Sequence, residues 1–222
     1  EYMEKPIYRE ILLQYINKQE PEQPILTERI AKYAAVCLGV DEDKVKKAVN
    51  VNMARLEKAD LLIRVTKGVY CRKIKTPFGY YRPNKETVFC NQLLRDDTGA
   101  IGYETGLSAL NKLGLVSQMP NRRSIATNLH NKRVPRGFQV VVRKPVTTIT
   151  ESNYKYLQFL DAVRGLAHAP VDVLKPELVL RGTAKDFDLN TDILILVARK
   201  YYNQKTLLKT IDILLEGVYE TA

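Results

Sequence analysis

Between Lys44 and Arg82 the chain carries eleven lysines and arginines against two acids, Glu57 and Asp60, a local net of +9. Cations at this density neutralise phosphates. The candidates are Lys44, Lys47, Asn50, Val51, Arg55 and Lys58, then Arg64, Lys67, Arg72 and Lys73. Lys47, Asn50 and Arg55 are expected at a groove, where an amide or a guanidinium can read base edges, and Arg64, Lys67 and Arg72 near phosphates. A second set, Arg122, Arg123, Lys132, Arg133, Arg136 and Arg143, lies within Arg122 to Lys144, which holds seven basic residues and no acid. Two readings of this patch stand: further nucleic-acid contact, or a sheet edge whose charges deter strand pairing.

Residues able to do covalent or metal chemistry are few. His130 and His168 are the only histidines, and neither has ligand spacing to a cysteine or to the other. Cys37, Cys71 and Cys90 are scattered, without metal spacing or a disulfide framework, which fits a reducing cytoplasm. There is no Gly-x-x-x-x-Gly-Lys-Ser/Thr loop and no dinucleotide fingerprint. The nearest constellation is Asp186-Phe187-Asp188 with Asp192, because alternate carboxylates on a strand can share a divalent metal in nucleotidyl transfer. The Gly-Ser loop which that chemistry requires upstream is missing, and Arg181-Gly182-Thr183 is a poor substitute. Loop solvation and capping of the next helix account for these acids more simply. Glu42-Asp43-Lys44 has nuclease residue types but lies at a helix start. The expectation is no enzyme, no metal and no cofactor; the competing class is a metal-dependent enzyme acting on nucleic acid through Asp186 and Asp188.

The elements that must position the first basic set follow from periodicity. Val45, Val49, Met53 and Leu56 share one face of a helix, which places Lys44, Lys47, Val51, Arg55 and Lys58 opposite, with Asn50 at the edge. Asp41 is its expected N-cap. Leu61 to Val65 reads as a strand, Thr66-Lys67-Gly68 as a turn and Val69 to Arg72 as the returning strand. Two helices precede these: one from Pro6 to Asn17 with Ile7 on its apolar stripe, and one capped by Thr27, with Ile30, Ala34, Cys37 and Leu38 facing one way until Gly39 ends it. Three helices and a hairpin in this order describe a winged helix, which places one helix in a major groove of double-stranded DNA.

Two prolines and a glycine in Ile74 to Pro83 mark a boundary, with Phe78, Tyr80 and Tyr81 expected to pack this linker against a neighbour rather than stack on bases. Beyond it, Asn84 to Arg95 and Tyr103 to Leu113 read as helices, the latter with Leu107, Leu110 and Leu113 inward, and Arg122 to Asn128 and Gly137 to Lys144 as strands. Tyr154 to Leu166 and Leu207 to Leu215 carry helical apolar faces. Thr191 to Tyr201 reads as a helix despite its strand-favouring Ile-Leu-Ile-Leu-Val core. The expected architecture is mixed α/β (α+β): a winged helix-turn-helix domain over 1–75, a linker over 76–83 and an α/β domain over 84–222. At 222 residues and 45% hydrophobic content the chain can bury two cores. Its +10 charge is uneven: residues 1–82 carry +5, residues 83–150 carry +6 and residues 151–222 carry −1. The longest apolar run, Ile193 to Ala198, is far short of the roughly 20 residues that span a bilayer, and no signal-peptide pattern opens the chain.

The segment Gly102 to Asn121 (GYETGLSALNKLGLVSQMPN) resembles the signature of AbiEi-like antitoxins of type IV abortive-infection systems, carried by Ser108, Ala109, Leu110, Gly114, Leu115, Gln118 and Pro120. Leu56, Leu61, Arg64-Val65 and Gly68-Val69-Tyr70 look like the winged-helix ending of the same family. The lysine-rich third helix departs from it. The resemblance implies a cytoplasmic autoregulator that binds repeated operator half-sites and neutralises a nucleotidyltransferase-like toxin. A plain winged-helix regulator with a dimerisation domain remains open beside it.

Overall fold

The computed structural model describes residues 4–219 and is mixed α and β. The chain forms two units that divide between Gln92 and Leu93, inside helix α4 (Lys85–Leu94) and later than the expected 76–83 linker.

The first unit runs α1 (Glu4–Asn17), β1 (Ile25–Leu26), α2 (Thr27–Leu38), α3 (Glu42–Lys58), β2 (Leu62–Thr66) and β3 (Val69–Arg72). Its three-stranded antiparallel sheet has the order β1-β3-β2, with Ile25 opposite Tyr70 and Leu62 opposite Arg72. Helix, strand, two helices and a hairpin joined in that order are a winged helix. Helix α1 begins before the expected Pro6, and the side chains of Pro6 and Ile7 lie outside the described ones. The core joins Leu12 and Ile16 of α1, Ile30 and Ala34 of α2, and Val45, Val49, Met53 and Leu56 of α3 to Leu62 and Tyr70 of the sheet. Each large apolar side chain buried there contributes roughly 1.5–3 kcal/mol. Gly39, at φ 63°, stops α2 in the left-handed conformation that a side chain would resist. Asp41 occupies the N-cap position of α3, but its side chain accepts no bond from the helix.

Thr27 is not the cap expected of it. It is the first residue of α2, and its N–H donates to the Gly68 carbonyl at 3.0 Å, so the tip of the β2–β3 hairpin satisfies one of the orphan amides at the helix start.

Cys37, expected on the buried face of α2, is exposed, whereas Cys71 and Cys90 are buried and all three are free thiols. Burial pushes the Cys71 thiol up to about 11, so it stays protonated at neutral pH. Titration of the folded protein with a chromogenic disulfide should therefore give one fast thiol, lost in Cys37→Ser, with the other two reacting only on denaturation.

Residues 74–81 are a second hairpin, β4 (Ile74–Thr76) with β5 (Gly79–Tyr81), rather than an irregular linker. Its aromatics do not pack as expected: Phe78 is fully exposed and Tyr80 is 60% exposed, while Tyr81 donates to Glu22 at 2.7 Å.

The second unit opens with a small hairpin, β6 (Arg95–Asp96) and β7 (Gly99–Ala100). Its main sheet comprises β8 (Gly102–Thr105), β9 (Arg123–Thr127) and β10 (Val140–Arg143). β9 is central, antiparallel to β8 and parallel to β10. Tyr103 to Thr105 is thus strand, not the start of the expected helix, and α5 is shorter, Gly106–Lys112. Within α5, Ser108, Ala109 and Leu110 are buried while Leu107, expected inward, is exposed. Helices α6 (Tyr154–Gly165), α7 (Pro176–Asp186), α8 (Thr191–Tyr201) and α9 (Gln204–Tyr219) bury Phe159, Leu160, Val163, Leu180, Leu194 and Ile213 with Leu110 and Leu115.

Asp161 is buried in this core and accepts four bonds: from Tyr103 Oη at 3.1 Å, Thr105 Oγ1 at 2.9 Å, Tyr202 Oη at 3.0 Å and Arg164 at 2.8 Å. Burial, then the Asp161 charge, pushes both tyrosine hydroxyls up, so they remain protonated donors. Glu104, equally buried, accepts from Arg123 and from Lys112 at 2.8 Å.

Candidate nucleic-acid interface

Helix α3 presents its polar residues on two flanks. On one flank a cleft of about 670 Å³ opens between the start of α2, α3 and the β2–β3 hairpin. Lys46, Asn50 and Ala54, one turn apart, form its α3 wall; Arg64, Lys67 and Gly68 form the hairpin wall; Thr27, Glu28 and Ala31 close it. Glu28 is the single acid among the described residues that line it. On the other flank Lys44, Lys47, Val51, Arg55 and Lys58 are all exposed. Among them Lys44 borders a shallow hollow with Val36, Gly39 and Asp41 at the α2–α3 turn.

Three of the expected residues, Asn50, Arg64 and Lys67, therefore meet across the cleft. Lys46 joins them and was missed. Its signal was present in the four-residue spacing to Asn50, but the alignment of charges opposite the buried stripe drew the reading to the other flank. Its ammonium is steadied by Asp43 at 2.8 Å and Glu42 at 3.4 Å. The hairpin wall is fixed by the Thr27–Gly68 bond and by the left-handed Gly68, whose missing side chain leaves 3.1 Å from an ideal Cβ position to Thr27 Oγ1.

Two expected phosphate contacts are committed elsewhere. Arg72 donates to the carbonyls of Asn17 at 2.9 Å and Gln19 at 3.3 Å, tying the end of α1 to β3. The Lys73 side chain is only 3% exposed; it pairs with Asp60 and lies 4.3 Å from the centroid of the Tyr80 ring. That pairing also holds the Asp60 carboxyl below its ordinary range.

The second basic set does not act as one patch. Arg122 and Arg143 line a cleft of about 510 Å³ in the second unit, together with Gln118, Ser124 and His168. Arg123 instead pairs with Glu104. Lys132 is half-buried, and Arg133 and Arg136 are exposed on the segment before β10 without lining the cleft. Burial works against the Glu104 charge, yet Lys112 and Arg123 hold its carboxyl below the ordinary range. A carboxylate lowered by folding stabilises fully above its unfolded value, about 4.3, and that stability is lost as pH falls through the folded value. Glu104→Gln should therefore lower the urea midpoint at pH 7, and the gap from the parent protein should narrow as pH falls below about 4.3 and on through the lower folded value.

The alternate carboxylates of the enzyme reading do not lie on a strand. Asp186 ends α7 and Asp188 follows in a left-handed turn at φ 54°, both exposed. Among the described residues no three His, Cys, Asp or Glu side chains are grouped to hold a metal ion, and no helix is long and apolar enough to cross a membrane.

Residues 37–158 match the family described as DUF6088, a family of unknown function. The chain belongs to the DUF6088 family. No curated protein matches it. The DUF6088 match begins within α2 and ends within α6. It thus takes in α3 and its hairpin, the Gly102–Asn121 motif and the whole β8–β9–β10 sheet, but not α7, α8 or α9.

Proposed function

We propose that this DUF6088 protein is a cytoplasmic, DNA-binding transcriptional regulator whose first unit docks α3 in a major groove with the β2–β3 hairpin on the adjoining backbone. The observation that carries the reading is the cleft in which Lys46 and Asn50 of α3 face Arg64 and Lys67 of the hairpin. Cations and a base-reading amide stand on two elements whose relative position is already fixed, so little ordering is required at docking. The exposed Lys44, Lys47, Arg55 and Lys58 extend the field along the same helix. Arg72 and Lys73 have no part in the reading, since both are engaged within the protein.

The resemblance of Gly102–Asn121 to AbiEi-like antitoxins extends the proposal: the protein represses its own operon through repeated half-sites and neutralises a co-expressed nucleotidyltransferase-like toxin. A mobility-shift titration with the native promoter tests the DNA reading. The parent protein should shift the promoter in preference to unrelated duplex, and Lys46→Glu with Lys67→Glu should abolish the shift; unchanged binding by that variant would sink it. Co-expression with a neighbouring nucleotidyltransferase gene tests the antitoxin reading, which fails if growth is not rescued by the parent protein.

A further inference from the structure

The cleft of the second unit is unlike a solvated sheet edge. Its two guanidiniums come from the two ends of the parallel pair β9–β10: Arg122 precedes β9, and Arg143 ends β10 opposite Ala126. At about 3.3 Å per residue they start about 13 Å apart along the ladder, a span longer than an inorganic phosphate. No acid is among the described residues that line the cleft. Neither arginine's side chain, nor that of His168, has a hydrogen bond or an ion pair among the described residues. Arg123, one residue from Arg122, is by contrast satisfied by buried Glu104. The same cleft is lined by apolar Leu107 and Leu110 and by the backbone of Gly165, where an added Cβ would only touch Leu110 at 3.5 Å. The side-chain amides of Gln118 and Asn121 line it and take no part in bonds among the described residues.

Two cations from opposite ends of the ladder, apolar Leu107 and Leu110, and the side-chain amides of Gln118 and Asn121 match a ligand with a charged phosphate, an apolar ring face and hydrogen-bonding edges. We propose that this cleft binds a phosphorylated nucleoside, its phosphate held by Arg122 or Arg143 and its base lying over Leu107 and Leu110 within reach of Gln118 and Asn121. A free nucleotide and the phosphorylated end of a single strand offer the same chemistry. The site belongs to the second unit and stands whether or not the first unit binds duplex DNA.

Isothermal titration of the full chain with each of the four ribonucleoside triphosphates, with inorganic phosphate and with a 5′-phosphorylated single-stranded hexanucleotide tests the proposal. At least one triphosphate should bind saturably and at least tenfold more tightly than inorganic phosphate. Arg122→Glu with Arg143→Glu should weaken that binding at least tenfold. Arg133→Glu with Arg136→Glu makes the same change in charge outside the cleft and should leave it within twofold, as should Lys47→Glu with Arg55→Glu in α3. Thermal melting of each variant verifies folding, since all six residues are exposed. If the hexanucleotide binds more tightly than the triphosphates and is lost with the same cleft pair, the source is a strand end; the reverse order names a free nucleotide. Absence of saturable binding at millimolar nucleotide, phosphate binding as tight as nucleotide binding, or equal losses in the cleft and control variants would each overturn the site.

Discussion

Asp161→Ala should cost roughly 3–5 kcal/mol, the largest stability effect expected of any single substitution in the second unit. The carboxylate is not a surface charge whose loss water can absorb. Removing it leaves the Tyr103 and Thr105 hydroxyls without an acceptor in a core that includes Leu157 and Phe159, and takes one acceptor from half-exposed Arg164 and from Tyr202, which also donates to the Leu157 carbonyl at 3.1 Å. A buried donor left unpaired costs about 1–3 kcal/mol, so two at once already match the lower part of an ordinary domain's stability, about 5–15 kcal/mol. The single-donor variants Tyr103→Phe and Tyr202→Phe should each cost only about 0.5–1.5 kcal/mol, because the other three donors still satisfy the carboxylate. Hydrogen exchange read by mass spectrometry distinguishes this from general destabilisation: Asp161→Ala should deprotect amides of β8 and α6 and leave those of α3 and the β2–β3 hairpin as they were. A shift below about 1 kcal/mol in a urea titration would show that the network is not what holds α6 to the sheet.

The second large effect concerns which flank of α3 meets the duplex. If the cleft flank does, replacing Lys46, Arg64 and Lys67 together by alanine should weaken promoter binding by about 10–1000-fold, with the salt slope falling by about 0.9 for each phosphate contact removed. Asn50→Ala should then relax preference between promoter and unrelated duplex by about 1–3 kcal/mol, with little change in slope. Replacing Lys44, Lys47 and Lys58 should act mainly through the field and lower affinity for all sequences alike. A reversed pattern, with specificity lost from the Lys47 side and the slope untouched by the hairpin residues, would place the duplex against the opposite flank and remove the hairpin from the interface. Both triple variants alter exposed side chains, so folding should be preserved.

What the sequence made legible was local. The burial of Val45, Val49, Met53 and Leu56 follows from spacing alone, and so does the hairpin after it. Helix α8 matches its expected span despite the strand propensity of its core, since Asn190 accepts the Ile193 amide at 3.1 Å and starts a helical turn. The misses needed distant partners. Tyr103 to Thr105 is strand because β9 pairs with it, Tyr103 opposite Ala126 and Thr105 opposite Ser124, and a strand buried on both faces has no alternating pattern to betray it. Gly182 hid α7, although Pro176 in the first turn and the Leu180–Ala184 stripe were available as signals. In α9 the buried face is Thr206, Thr210 and Ile213, while Leu208 and Leu215 are exposed. Thr210 hides its hydroxyl by donating to the Thr206 carbonyl at 2.8 Å, which composition alone does not reveal. The candidate site divides the same way. Asn50 and Lys67 were legible from their element, whereas the withdrawal of Arg72 depends on carbonyls 53 and 55 residues earlier.

The bond from Thr27 to Gly68 bears on how the hairpin can change length. A two-residue turn at the surface ordinarily accepts insertions at little cost, because its ends stay paired whatever its tip does. In this protein the tip carbonyl is also the acceptor for the first amide of a helix forty-one residues away. One residue added between Thr66 and Val69 would lift that carbonyl away and leave the α2 amide facing the hairpin without an acceptor. A longer turn grafted onto this sequence should therefore lower the urea midpoint of the first unit, whereas an insertion at a turn whose tip carbonyl is free costs little.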